Sequence, residues 1–213
     1  MKLKSLINHG ASRLILIIAM ALMIVPNVNA TLIASNDGTM VYDADLNVTW
    51  SADANLVYNS GYDTSNTGRL SWSEANTWIS YLNSGVGYLG YNNWRLPTAL
   101  NSDGSGPCSS GTGCTDSEMG HLFSSELGSS VNFPAFAGGT SQTYPFVNFQ
   151  SDPYWTSTTA GSSVPFAWTF NFRTGVQDTK LASAEFYVLP IRDGNFVTVV
   201  PPPHHYLSQR QLH

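Results

Sequence analysis

"YNNWRLPTAL", residues 91–100, concentrates Trp94, Arg95, Leu96 and Pro97 in a chain whose polar positions are filled mainly by Asn, Ser, Thr and Gly. Whether this block is a reactive site, a binding site or a structural clamp depends on what flanks it. Upstream lies the clearest helix, "LSWSEANTWISYLN" (70–83). Ser71 and Glu74 form an S-x-x-E capping box, Trp72, Ala75, Trp78, Ile79 and Leu82 recur on one face, and Asn83-Ser84-Gly85 ends the helix. Downstream, "TDSEMGHLFSSELG" (115–128) predicts a second helix. Thr115 and Glu118 repeat the capping box, Met119, Leu122, Phe123 and Leu127 form the apolar face, and Gly128 is the stop.

Strands bracket the helices. "GTMVYDADLNVTW" (38–50) reads as a hairpin with strands at Thr39–Tyr42 and Val48–Trp50, and the turn-rich segment after it, residues 51–69, reads as a loop. "FAWTFNF" (166–172) alternates, with Phe166, Trp168, Phe170 and Phe172 on one parity. "EFYVLPIRDG" (185–194) supplies a last strand that Pro190 assigns to an edge or a bulge. Hairpin, helix, helix and antiparallel meander make an α+β plan, two helices on an antiparallel sheet with long irregular loops.

Residues 1–30 read as an export signal. Lys2, Lys4 and Arg13 form the basic leader, "LILIIAMALMIV" (14–25) the apolar run, and "VNA" (28–30) the cleavage site. The run is shorter than the roughly 20 residues a membrane-spanning helix needs. The expected product begins at Thr31, is secreted to the periplasm, cell surface or exterior, and inserts in no membrane. Residues 31–196 form one domain and 197–213 a disordered tail. The exported part carries six basic and 14 acidic side chains, a net charge of −8, which repels phosphate backbones and argues against nucleic acid as a partner. Cys108 and Cys114 both lie in it and are expected to pair, closing a short loop worth about 2 kcal/mol.

Most catalytic motifs fail on inventory. "GVGYLG" (85–90) matches G-x-G-x-x-G, but a helix precedes it and "YNNWRLP" follows, the reverse of a dinucleotide site. "DADLNVTWSADA" (43–54) lacks the Gly and Glu of a calcium loop, so a nonstandard calcium site drawing on Asp43, Asp45 or Asp103 is a minor alternative. His121 is the only histidine between the leader and the tail and reads as an ordinary helical side chain. No metal and no cofactor is expected. Paired carboxylates for glycoside hydrolysis have no short motif, and none stands out. The aromatic residues Tyr144, Tyr154, Trp155, Trp168 and Tyr187 lie among Asn, Asp, Ser and Thr, the mixture that stacks on sugar faces and bonds their hydroxyls. Trp168 and Trp94 read as core and Trp155 as exposed. The expected ligand-binding set is Asp152, Tyr154, Trp155 and Arg173.

Taken in order, "VYDADLNVTW", "LSWSEANTWISYLN", "YNNWRLPT", "SEMGHLFSSELG", "YWTST", "AWTFNF" and "YVLPIRDG" resemble the Lcl C-terminal domain family, over about Gly38 to Gly194. The resemblance implies a single C-type-lectin-like domain. "RLPT" is also similar to the formylglycine-generating enzymes of that fold, but their cysteines near the domain end are missing here, as are the calcium-lectin words E-P-N, Q-P-D and W-N-D. In such a domain the opening block is a clamp. Trp94 anchors the chain, Arg95 forks onto a carboxylate or carbonyls, with Glu118 or Asp193 as first partners, and Pro97 fixes the exit toward a helix. Relatives start that helix directly after "RLPT"; here the Gly/Ser-rich insert Ala99–Cys114 intervenes. The family's adhesin is associated with sulfated polysaccharides, which a charge of −8 does not suit. "VTVVPPPHHYLSQRQLH" (197–213) is similar to the start of a PEP-CTERM-like sorting tail but lacks its apolar run, so it reads as truncated or frame-shifted. The expected function is a noncatalytic, exported binding or adhesive module of the bacterial envelope or matrix, with neutral glycan or matrix polysaccharide as partner. The alternatives are a polysaccharide hydrolase using unmarked carboxylates and a purely structural surface protein.

Overall fold

The structure, a computed structural model, describes residues 32–128, 141–143, 145–161 and 165–196; the leader 1–30, Tyr144 and the tail 197–213 lie outside the described residues. It is an α+β domain. Strands β1 (Leu32–Ala34), β2 (Met40–Asp43), β3 (Val48–Ser51), β11 (Ile191–Asp193) and β4 (Trp94–Arg95) form an antiparallel sheet in the order β1-β2-β3-β11-β4. A second antiparallel sheet runs β5 (Gly111–Thr112), β10 (Val176–Leu181), β9 (Phe166–Asn171), β8 (Pro153–Thr159), and β6 (Ser141–Thr143) pairs with β7 (Phe146–Phe149). The sequence implied one main sheet; the structure divides it in two.

The β2–β3 hairpin forms where its two β-prone runs predict, Val41 facing Trp50 and Asp43 facing Val48. Pro190 is not on an edge strand. It precedes β11, an interior strand between β3 and β4, and its missing N–H costs no ladder bond there, while its carbonyl accepts Ser51 N at 3.0 Å. The loop after β3 contains a one-turn helix, α1 (Leu56–Asn59).

Helix α2 (Trp72–Leu82) carries the expected capping box at Ser71 and Glu74, and buries Ala75, Trp78, Ile79 and Leu82. The second helix departs from expectation. Its N-cap is Ser117, whose hydroxyl accepts Gly120 N, and Thr115 does not cap it; α3 (Glu118–His121) makes one α-turn and continues as a π-turn over Leu122–Glu126. Glu118 bonds Arg95 and Thr98 N instead, and Thr115 N donates to Gly113 O at 2.9 Å. Gly120 is required where it stands, because a Cβ there would lie 1.7 Å from the Cys114 carbonyl oxygen.

Two apolar cores result. One gathers Val41, Trp50, Met119, Leu122, Phe149, Tyr154, Phe170, Phe172 and Ile191; the other gathers Trp78, Leu82, Trp94, Leu96, Trp155, Ala167 and Val188. Consecutive residues of a strand point to opposite faces, so β8 sends Tyr154 into the first core and Trp155 into the second. On β9, Phe170 is buried and Trp168 half-buried, but Phe166 is exposed while Ala167 and Thr169 of the other parity are buried, so a simple one-sided alternation does not hold. At Tyr154 and Trp155 of β8 both faces of this sheet are covered.

Candidate functional site

A cleft of about 320 Å³ opens beside α1. Helix α1 and the residue before it contribute Asn55, Tyr58 and Asn59; the loop leading to α2 contributes Asn66 and Thr67. β7 and the residue after it add Asn148 and Gln150, and Tyr187 completes the lining. Every one of these side chains is an amide, a hydroxyl or an aromatic ring, and none carries a charge. Tyr58 is 47% exposed, whereas Tyr187 is nearly buried.

Two carboxylates behind the lining hold it in shape. Asp53 accepts Asn59 Nδ2 at 2.7 Å, Asn148 Nδ2 at 3.0 Å and Asn55 N at 2.9 Å. Because a carboxylate only accepts, both asparagines must turn their nitrogens to it, which leaves their carbonyl oxygens for other donors. Asp63 accepts Ser65 N, Thr67 N and Gly68 N, each at 2.8 Å, and the Ser65 hydroxyl at 2.6 Å. Burial alone would raise its pKa, but the Ser65 hydroxyl and the three backbone donors outweigh it and hold the carboxyl at about 2. Gly68 closes this loop tightly: its φ is +71°, and a Cβ would stand 2.1 Å from Asn55 Oδ1.

The expected ligand-binding residues separate. Trp155 is not exposed; it is 0% accessible, its indole Nε1 donates to Leu70 O at 2.8 Å, and Phe186 packs against it at 5.0 Å between ring centroids. Tyr154 is also fully buried, its hydroxyl accepts Gln150 N at 2.8 Å, and burial pushes its phenol well above the ordinary value. Neither ring can meet a sugar in this fold, because β8 lies between two cores. Asp152 pairs with Arg69, whose guanidinium stacks over the Tyr187 ring at 4.9 Å, so it borders the cleft's aromatic side as a structural ion pair. Arg173 is exposed in the turn between β9 and β10 and does not line the cleft. The cleft itself went unread in the sequence, although the i,i+4 pair Asn55 and Asn59 and the Asx-type run at 63–68 were visible signals.

Trp94, Arg95 and Pro97 are each held by specific contacts, with Arg95 half-buried. Trp94 is buried, its N–H donating to Asn83 Oδ1 and its carbonyl accepting Asn83 Nδ2, both at 2.8 Å, so one side chain imitates a neighbouring strand. Arg95 engages both expected partners. Nη1 and Nη2 donate to Glu118 at 2.9 and 2.7 Å, and Nε and Nη2 donate to Asp193 Oδ1 at 3.1 and 2.6 Å. Burial would lower the Arg95 pKa, but Glu118 first and Asp193 second raise it above the ordinary value. The carbonyl of Pro97 accepts Ser157 N at 2.7 Å, tying the block to β8. Cys108 and Cys114 are disulfide-bonded with Cα atoms 5.9 Å apart, and the loop they close contains β5, which pairs Thr112 with Val176.

A wider groove of about 700 Å³ along the start of α2 holds two carboxylates, Glu74 and Glu185. The Ser71 hydroxyl and N–H hold Glu74 below the usual carboxylate range, opposite to the raised pKa a general acid needs. Of the carboxylates considered for calcium, Asp103 stands apart, while Asp43 and Asp45 both approach His121 Nε2 to 4.0 Å. Asp103 lies in the exposed insert, bonded to Ser105 N, while Asp43 is fully buried at the end of β2 and Asp45 lies in the turn beyond it. Burial raises the Asp43 carboxyl above its ordinary range, against Leu46 N, His121 and the Trp50 indole, which favour its charged form.

No curated protein and no solved structure matches the chain. The family model described as "Lcl C-terminal domain" matches residues 39–192, from β2 into β11, and so takes in Arg95 and Glu118, the disulfide insert and the walls of the cleft. On that match, the chain belongs to the Lcl C-terminal domain family.

Proposed function

We propose that this protein is an exported, noncatalytic binding module of the bacterial envelope or extracellular matrix, of C-type-lectin-like architecture, whose cleft takes a neutral glycan. The observation that carries the reading is the lining: Asn55, Asn59, Asn66, Asn148, Gln150 and Thr67 with the exposed ring of Tyr58, and no charged side chain among them. Amides supply both donors and acceptors to hydroxyls, and an exposed tyrosine stacks on the apolar face of a pyranose. Among the described residues the lining holds no cation for a sulfated ligand, and Arg69 beside Tyr187 is paired with Asp152. The export leader and the acidic balance support a location outside the cytoplasm.

An array of neutral and acidic oligosaccharides, read with wild type and Tyr58→Ala, tests the proposal. Neutral sugars are expected to bind wild type, and Tyr58→Ala to lose that binding with its melting temperature unchanged. Binding restricted to sulfated glycans, or indifferent to Tyr58, would refute the assignment. The hydrolase alternative calls for polysaccharide turnover that disappears in Glu185→Gln; its structural support among the described residues is the position of Glu74 and Glu185 in one groove.

A further inference from the structure

His121, the lone histidine of the domain, does not stand alone in space. In a continuous α-helix the residue five positions on lies about 140° around the axis. Here the helix widens after His121, with Leu127 N bonded to Leu122 O at 2.9 Å, and an i→i+5 turn returns residue 126 to the side of residue 121. Glu126 Oε1 consequently stands 3.5 Å from His121 Nε2. The β2–β3 hairpin approaches the same nitrogen from the other side, with Asp43 Oδ1 and Asp45 Oδ2 each 4.0 Å away.

The donor atoms of Asp43, His121 and Glu126 all lie within 4.8 Å of one another. The Asp43 and Glu126 side chains are 0% accessible and that of His121 19%, and only Asp45, at 44%, opens to solvent. Asp43 Oδ2 and His121 Nε2 are sealed from water with no hydrogen-bond partner among the described residues. A buried carboxylate oxygen and an imidazole nitrogen, both left without a partner, are costly unless a cation joins them.

We propose that Asp43, His121 and Glu126, with Asp45 at the open side, bind a divalent transition ion of the zinc type that ties the first hairpin to the π-turn. Two donors at the usual 2.0–2.1 Å from a tetrahedral ion stand about 3.4 Å apart, so the set closes on the ion with shifts of about 1 Å or less. The imidazole nitrogen selects such an ion over calcium or magnesium, which prefer oxygen alone. A divalent ion leaves the four ligands at net −1, whereas a protonated His121 leaves them at −2. Asp45 provides the entry path.

The test is thermal unfolding of the untagged exported protein, stripped with chelator and titrated separately with zinc and with calcium, alongside native mass spectrometry. One zinc per chain and a rise of about 5–10 °C at a hundredfold excess over Kd are expected, with little response to calcium. His121→Gln abolishes the rise. This variant also separates the site from His204 and His205 of the tail, which would bind zinc in it undiminished. Asp45→Asn, on the exposed turn and no threat to folding, raises the zinc concentration needed by about tenfold or more. No rise in wild type, an equal rise with calcium, a rise retained in His121→Gln, or unchanged affinity in Asp45→Asn would each overturn the proposed site.

Discussion

Replacing Arg95 by lysine keeps the charge and removes the planar fork. In the structure the guanidinium makes two bonds to Glu118, two to Asp193 Oδ1 and a longer one of 3.3 Å to Leu96 O. A lysine ammonium is a point donor on a flexible stem and cannot span both oxygens of Glu118 and Asp193 together. Breaking a fully buried pair costs roughly 3 to 5 kcal/mol. Arg95 is 34% exposed and Asp193 75%, so solvent screens the Asp193 arm. Glu118, at 14%, retains the Thr98 N bond and regains one charge-assisted bond from lysine. The net loss should be about 1 to 2 kcal/mol for Arg95→Lys and about 2 to 4 for Arg95→Ala. At roughly 2–4 °C per kcal/mol for a domain of this size, Arg95→Lys lowers the melting temperature by about 2 to 8 °C. Scanning calorimetry of both variants, completed as a double-mutant cycle with Glu118→Gln, measures the pair directly. An unchanged melting temperature together with lost glycan binding would refute the clamp and make Arg95 a contact residue.

Trp155→Ala leaves a cavity in the second core and should cost about 3 to 5 kcal/mol, seen as a lower denaturant midpoint, whereas loss of ligand with unaltered stability would contradict its burial. Asp63 has a folded pKa of about 2 against an ordinary 3.8. Its contribution is therefore complete above about pH 4 and lost as pH falls toward 2, so Asp63→Asn should flatten this acid limb of the stability profile measured by urea titration. Reducing Cys108–Cys114 should speed hydrogen exchange in β5 and its loop without unfolding α2 or the first sheet. Ala99 should stay protected, because its N–H donates to Thr158 Oγ1 and its carbonyl accepts Gln177 Nε2. Exchange spreading through the whole domain on reduction would show the disulfide to be a global staple.

The features legible in the sequence are those whose causes are local. Ser71 and Glu74 are three residues apart, so the capping box needs only the helix it caps; Cys108 and Cys114 need only a short loop that bends back. The partners of Arg95 were nameable because a planar donor fork among few charged residues has few carboxylates to meet. Tertiary structure decided the rest. Trp155 reads as exposed beside "SDPY" because period-two alternation tells which residues share a face and not whether that face is covered; β8 is covered on both. Glu118 fits a capping box with Thr115 by spacing, but its carboxylate bonds Arg95, 23 residues away. His121 and Glu126 fall on different faces at 3.6 residues per turn, and only the π-turn unites them, opposite an aspartate 78 residues earlier in the chain. The neutral cleft likewise joins Asn55 to Asn148 through Asp53. Such juxtapositions depend on which distant segments pack together, and no local spacing in this sequence encodes them.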